Sequence, residues 1–309
     1  MAEATQWSLR MTGPFSKCIP KRIRKMGRRW RQRVWRWRFG DLDDRLTAAD
    51  RKRDIKSKNR ASLAMVESWI TDSDFENSIY DYGIRPKNRP LIDAAIGEET
   101  TLSDLIAYLS RDLTKDLRYL EIGVSVGKNF FQMLNQWNDA QLVGFDIEDI
   151  NPVLKRYLEE GASVSWETMA DSPRKKPSSL TDYTFKENRN HVRYLAGDLF
   201  DDGSWAKLAG SKFNLVFSDA CHKPEAILRE WHLIKSLRLL DEDEFVFVWD
   251  DVQGEMQAAF NQISGDMRHM FHIPASEVWL GGCRGWFGIN QRCHEVGVVR
   301  KLCPARISN

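Results

Sequence analysis

From Leu117 onward the chain repeats one unit: a strand-length apolar run, a turn, then a stretch with helical spacing. The runs are Leu117–Ile122, Gln141–Phe145, Val192–Ala196, Phe213–Phe217 and Phe245–Trp249. They are too short for helices and nearly continuous in apolar residues, as strands covered on both faces are. Asn129–Trp137 and Ala226–Leu240 carry the helical spacing between them. Thr101–Arg111 adds a helix ahead of the first strand, opening on a Thr that can cap it and an Asp suited to its positive end. Strands joined through helices must lie mainly parallel, so the expected fold is α/β: a Rossmann-like sheet with helices on both faces. Glu277–Leu280 and Glu295–Val299 read as closing strands around a glycine-rich loop, Gly281–Gly288.

Charge divides the chain. Residues 1–60 hold 19 Lys/Arg against 6 Asp/Glu, whereas the remainder holds 27 against 38. Within the basic part, residues 21–39 contain no acid, and Ile23, Met26, Trp30, Val34 and Trp37 fall at steps of three and four. Those steps place one apolar stripe on a helix otherwise rich in arginine. Such a helix suits an anionic membrane surface; RNA, with arginine on phosphate and tryptophan on bases, is the less favoured partner. We therefore expect a basic arm and linker over 1–60 and the α/β domain over 61–309. Its core spans 117–299, with an insertion at 152–190 that contains the run SPRKKPSS. A chain starting near residue 60 should then keep the fold.

The five cysteines form no C-x-x-C pair, which points away from a zinc or disulfide framework and toward reduced thiols. No apolar run reaches the roughly 20 residues of a membrane span. The N-terminus lacks the apolar segment of a secretory signal. The expected location is cytoplasmic, peripheral on a membrane if the arm binds one.

Function is written at the strand ends. Leu120-Glu121-Ile122-Gly123-Val124-Ser125-Val126-Gly127 places glycines at a strand-to-helix turn, where they permit a tight turn and close approach to a ligand. Asp146 closes the next strand, positioned to accept hydrogen bonds from ribose hydroxyls. Ala196-Gly197-Asp198-Leu199 ends a third strand. In order and wording these segments resemble class I S-adenosylmethionine-dependent methyltransferases. The resemblance implies S-adenosylmethionine as cofactor and an antiparallel last strand. It makes Glu121, Gly123, Ser125 and Gly127 the first cofactor motif, Asp146 the ribose ligand, and Asp198 with the Leu199 backbone the adenine contact. Ser125 stands where the family usually has glycine. A nicotinamide dehydrogenase would usually show a fuller G-x-G-x-x-G and would leave Gly197-Asp198 unexplained.

Past the fourth and fifth core strands lie Asp219-Ala220-Cys221-His222 and Asp250-Asp251. This pairing resembles methyltransferases with an Asp-x-x-His and an Asp-Asp motif, many of which modify hydroxyls of sugars or catechol-like rings with a divalent metal. The likeness runs from about Leu117 to Val299, and the family often has an acid where Cys221 stands. A hydroxyl is a poor nucleophile at neutral pH, so His222, oriented by Asp219, is the expected base. Carboxylates at Asp219, Asp250 and Asp251 are the expected oxygen ligands of a hard cation such as Mg²⁺. The expected reaction is O-methylation of a saccharide or small-molecule acceptor. The rivals are a nucleic-acid methyltransferase gripping its substrate with the basic arm, for which no Asn/Asp-Pro-Pro-Tyr element is found, a non-catalytic cofactor-binding protein, and an aminopropyltransferase.

Overall fold

The computed structural model describes residues 49–69, 101–125, 127–151, 154–155, 166–168, 182–187, 189–287 and 290–303. The chain divides into two compact units, Met1–Arg45 and Leu46–Asn309. The described residues belong to the second. The amphipathic stretch 21–39 lies outside them.

Among the described residues, nine strands form one sheet: β1 (Arg118–Ile122), β2 (Gln141–Asp146), β3 (Trp166–Thr168), β4 (Asp182–Glu187), β5 (Asn190–Ala196), β6 (Leu215–Ser218), β7 (Phe245–Trp249), β8 (Val278–Phe287) and β9 (Asn290–Lys301). Their order is β3-β4-β5-β2-β1-β6-β7-β9-β8. The five central strands are parallel, and the β9 and β8 pairings are antiparallel. In chain order the parallel set therefore runs 3-2-1-4-5, the doubly wound Rossmann arrangement, with an antiparallel strand closing it. The order reverses beside β1, so the ends of β1 and β6 flank the crevice where such sheets bind ligands.

The expected parallel strands are all present, because their apolar residues are covered from both sides. All of β6 and β7 is buried. On one face α5 (Pro224–Ser236) and α6 (Met256–Phe271) enclose a cluster that includes Leu120, Phe247, Trp249 and Phe260. Phe247 stacks on Trp249 at 3.5 Å between ring centroids, and Phe260 meets Trp249 edge-on at 5.7 Å. Aromatic burial of this kind contributes about 1.5–3 kcal/mol per side chain. The other face of β1 carries Tyr119, which packs on Phe130 of α3 (Lys128–Gln136) and on Trp137.

Three expectations change. The Gly281–Gly288 loop is largely strand: residues 281–287 continue β8 and pair with β9 from Gly281↔Val296 to Phe287↔Asn290. Glycine lowers strand propensity, but a ladder with a neighbour overrides it. Within the 152–190 insertion, β3 and β4 extend the sheet antiparallel beyond β5.

The third change concerns the boundary near residue 60, which falls inside a helix. Helix α1 (Ala49–Trp69) runs through it and docks on α2 (Leu102–Ser110) and α3. Ile55 and Asn59 are 2% and 0% exposed. Gln136 donates to the Ile55 carbonyl and to Asn59 Oδ1, each at 2.7 Å. Asp104 accepts from Asn59 Nδ2 at 2.8 Å and pairs with Arg60 at 2.9 Å. The same Asp104 closes a capping box with Thr101, confirming the expected cap of that helix. Fixed partners of this kind make α1 part of the domain rather than a solvated linker. Among the described residues, no helix is long and apolar enough to cross a membrane.

Candidate functional site

The glycine loop leaves β1 with Gly123 at φ +84° and enters α3 through Gly127 at φ +81°. Both need the left-handed region that glycine adopts without strain. At Gly123 a second constraint dominates. A Cβ there would lie 2.4 Å from the Ala220 Cα and 2.6 Å from the Asp219 carbonyl carbon. The sequence explains Gly123 by a ligand; the structure adds the chain leaving β6, which presses on it. Ser125 also adopts a left-handed conformation, at φ 51°. A glycine would hold this conformation without strain, whereas a side chain costs about 1–2 kcal/mol there.

Asp146, at the end of β2, is 9% exposed. Its Oδ2 accepts the backbone N–H groups of Val124 and Ser125, each at 2.7 Å, and its Oδ1 accepts from Glu148 N at 2.9 Å. The expected ribose ligand thus also holds the glycine loop in shape. A carboxylate offers about four lone-pair sites, so capacity for a ligand remains. Asp198 is exposed beyond β5, its Oδ1 accepting from Phe200 N at 2.8 Å, while Leu199 is buried at 7%.

Glu121 is 1% exposed on β1 and accepts from Tyr119 Oη at 2.6 Å and Asn129 Nδ2 at 2.9 Å. Burial pushes its carboxyl up to about 8.

Asp219 follows β6 and Asp251 follows β7, with His222 between them. His222 Nε2 is 2.8 Å from Asp219 Oδ1, and Nδ1 is 3.2 Å from Asp251 Oδ2. Two carboxylates facing both ring nitrogens require two N–H donors, hence an imidazolium. The hydrogen bond to Asp219, then that to Asp251, raises the ring's pKa to about 10. The expected base therefore holds its proton at neutral pH. His222 thereby bridges the loop after β6 and the loop after β7 through both ring nitrogens.

The folded pKa lies above the unfolded value near 6.5, so this interaction stabilises fully below 6.5 and is lost as pH rises through about 10. Denaturant unfolding of wild type and His222→Asn across that window should show wild type losing its advantage toward high pH. Parallel pH curves would contradict the ion pair. With 44% of the side chain exposed, solvent screening keeps the effect small.

The expected cation site at Asp219, Asp250 and Asp251 is not assembled. Asp250 is 2% exposed, and His222 sits between the other two carboxylates. Among the described residues, no group of three His, Cys, Asp or Glu side chains is arranged to hold a metal ion. Cys221 packs against the apolar cluster of the core, which keeps its sulfur out of the acidic group.

Several residues escaped the sequence reading. Ile147 and Phe200 are 61% and 52% exposed, directly after Asp146 and shortly after Asp198. Their signal was a large apolar residue just past a strand-ending acid. Tyr119 and Asn129, which hold Glu121, had no signal of their own. Glu230 on α5 is wholly buried, its Oε2 accepting from Ser218 Oγ at 2.6 Å, and burial pushes its carboxyl up to about 8. It underpins the residue that precedes Asp219.

Taken together, the 3-2-1-4-5 order, the antiparallel closing pair and the glycine loop tied to a β2 acid decide the architecture. The fold is a Rossmann-like α/β sheet closed by an antiparallel pair. No family model and no curated protein matches the chain. Solved structures do. A SAM-dependent O-methyltransferase from Thermotoga maritima shares 12% identity over 70% of this chain and 72% of that one, with a TM-score of 0.39. The O-methyltransferase TomG from Streptomyces achromogenes, involved in tomaymycin synthesis and solved with SAM, shares 16% over 74% of this chain and 99% of that one, at 0.37. An rRNA methylase from Streptococcus thermophilus shares 11% over 64% and 94%, at 0.37. At such identities the activity must be argued from the chain's own geometry.

Proposed function

We propose that the chain transfers the methyl group of S-adenosylmethionine to a hydroxyl on a saccharide or other small molecule. One observation carries this reading: the loop suited to the methyl donor and the loop bearing Asp219 and His222 meet backbone to backbone at Gly123 and Ala220. A donor held by the first is presented directly to an acceptor held by the second.

In this reading Asp146 binds the ribose. Asp198 contacts the adenine, which Ile147 and Phe200 flank with apolar surface. The N-terminus of α3, which Gly127 caps, favours the cofactor's carboxylate through the positive end of the helix. Transfer is an in-line displacement: the acceptor oxygen forms a bond to the methyl carbon, the sulfonium sulfur keeps the bonding pair, and the hydroxyl proton leaves. The carboxylates of Asp219 and Asp251 align the hydroxyl and take that proton, while His222 keeps the pair charged and in place. Alignment supplies several kcal/mol of the barrier reduction. The basic arm, in the same reading, attaches the enzyme to an anionic membrane surface.

Methyl-labelled S-adenosylmethionine offered with hydroxylated small molecules, sugars and RNA tests the acceptor. Label on an oxygen of a small molecule is expected; label on RNA alone would overturn the acceptor class. Asp146→Ala should weaken S-adenosylhomocysteine binding about 10–100-fold, since it loses a ribose contact and two loop hydrogen bonds, each worth about 1.5–3 kcal/mol at most when charged. Calorimetry showing unchanged affinity would remove Asp146 from the pocket.

A further inference from the structure

We propose that the His222 imidazolium is the resident cation of the acceptor site, standing where a divalent metal would otherwise bridge Asp219 and Asp251, so that the transfer needs no metal ion. The inference deepens the proposed acceptor site and depends on it.

Three observations carry it. First, each ring nitrogen faces a carboxylate from a different loop, Nε2 to Asp219 at 2.8 Å and Nδ1 to Asp251 at 3.2 Å. A metal bound by the same oxygens would sit at about 2.0–2.6 Å from them. That space is taken by the ring. Second, Asp250, the third expected carboxylate, is 2% exposed just past β7, and among the described residues no three His, Cys, Asp or Glu side chains are arranged to hold a metal ion. Third, Asp251 sits at φ 48°, a left-handed conformation that a non-glycine residue holds only where its surroundings enforce it. Its contact with His222 joins the β7 loop to the β6 loop. A hard cation gathers six or more oxygens by relaxing its ligands around itself; here a planar two-donor ring sets the spacing instead. A further titratable group on the adjoining helix, the buried Glu230, accepts from Ser218 Oγ at 2.6 Å.

The test uses Mn²⁺ as the probe, added to the full chain with S-adenosylhomocysteine bound. Bound Mn²⁺ is read by electron paramagnetic resonance, and the His222 ring signals by NMR. Wild type is expected to retain no stoichiometric Mn²⁺, and its His222 signals should survive without broadening. His222→Ala removes the built-in cation and should raise Mn²⁺ affinity at least about tenfold. If that variant does not fold, His222→Gln, an uncharged side chain of similar reach, should show the same gain in the same assay. One Mn²⁺ per wild-type chain with broadened His222 signals would overturn the proposal, as would His222→Ala binding Mn²⁺ no better than wild type. Cofactor binding measured in the same samples separates the two readings: without it the methyltransferase proposal fails, and with it but with tight Mn²⁺ only the present one does.

Discussion

Gly123→Ala is expected to abolish measurable S-adenosylhomocysteine binding and to lower the melting temperature. The added methyl carbon would lie 2.4 Å from the Ala220 Cα and 2.5 Å from its nitrogen, inside any permissible contact. Both are backbone atoms, so no side chain can rotate out of the way. The alternative is for Gly123 to give up φ +84°, which moves the loop that Asp146 holds through Val124 and Ser125. A left-handed alanine adds about 1–2 kcal/mol even where space exists. The two penalties act on one residue, and relieving one worsens the other. Affinity should fall more than about 100-fold, which is roughly 2.7 kcal/mol. Calorimetry with wild-type affinity in this variant would mean that the two loops do not meet as described.

The second large effect concerns where the domain begins. A chain starting at Ala61 should be insoluble or unfolded, whereas one starting at Leu46 should fold and bind cofactor like the full chain. The first cut deletes buried Ile55 and Asn59 together with Arg60. It strips Asp104 and Gln136 of the partners they have from α1. Breaking a buried ion pair costs about 3–5 kcal/mol, and losing a buried isoleucine about 1.5–3 more. Together these approach the whole stability of an ordinary domain, about 5–15 kcal/mol. Thermal melts and cofactor titrations of the two chains decide it; a stable, cofactor-binding chain from Ala61 would show that α1 is dispensable. The chain from Leu46 also tests the arm, for it should lose the flotation with anionic vesicles expected of the full chain.

The contrast shows what the sequence made legible. Strands such as FVFVW were readable because burial on both faces leaves no polar position to confuse the period. The start of the domain was not. Residues 41–60 alternate acid and base, which reads as solvated, yet Asn59 is buried because Gln136 and Asp104 answer its amide across the fold. No local pattern announces a polar residue satisfied by distant partners. Strand β4 has the composition DYTFKE, with little apolar content, and exists because β5 offers it an edge. The glycines at 281, 282 and 285 were read as a loop for the same reason in reverse.

At the site, residue types were legible and their relations were not. Asp219, His222, Asp250 and Asp251 stood out by their places after two strands. That His222 faces a carboxylate with each nitrogen depends on Asp251 adopting a left-handed backbone, which spacing does not reveal. The same geometry turns an expected base into a cation and leaves the expected metal site unassembled. Gly123 was read for a ligand, while its tightest neighbour proves to be protein.

The proposed function requires that the crevice at the ends of β1, β2 and β5 hold S-adenosylmethionine. Titration calorimetry of the full chain with S-adenosylhomocysteine, with NAD as the comparison, tests it most directly. One S-adenosylhomocysteine per chain, with no heat from NAD, is the predicted result. Saturable binding of NAD with none of S-adenosylhomocysteine would contradict the account.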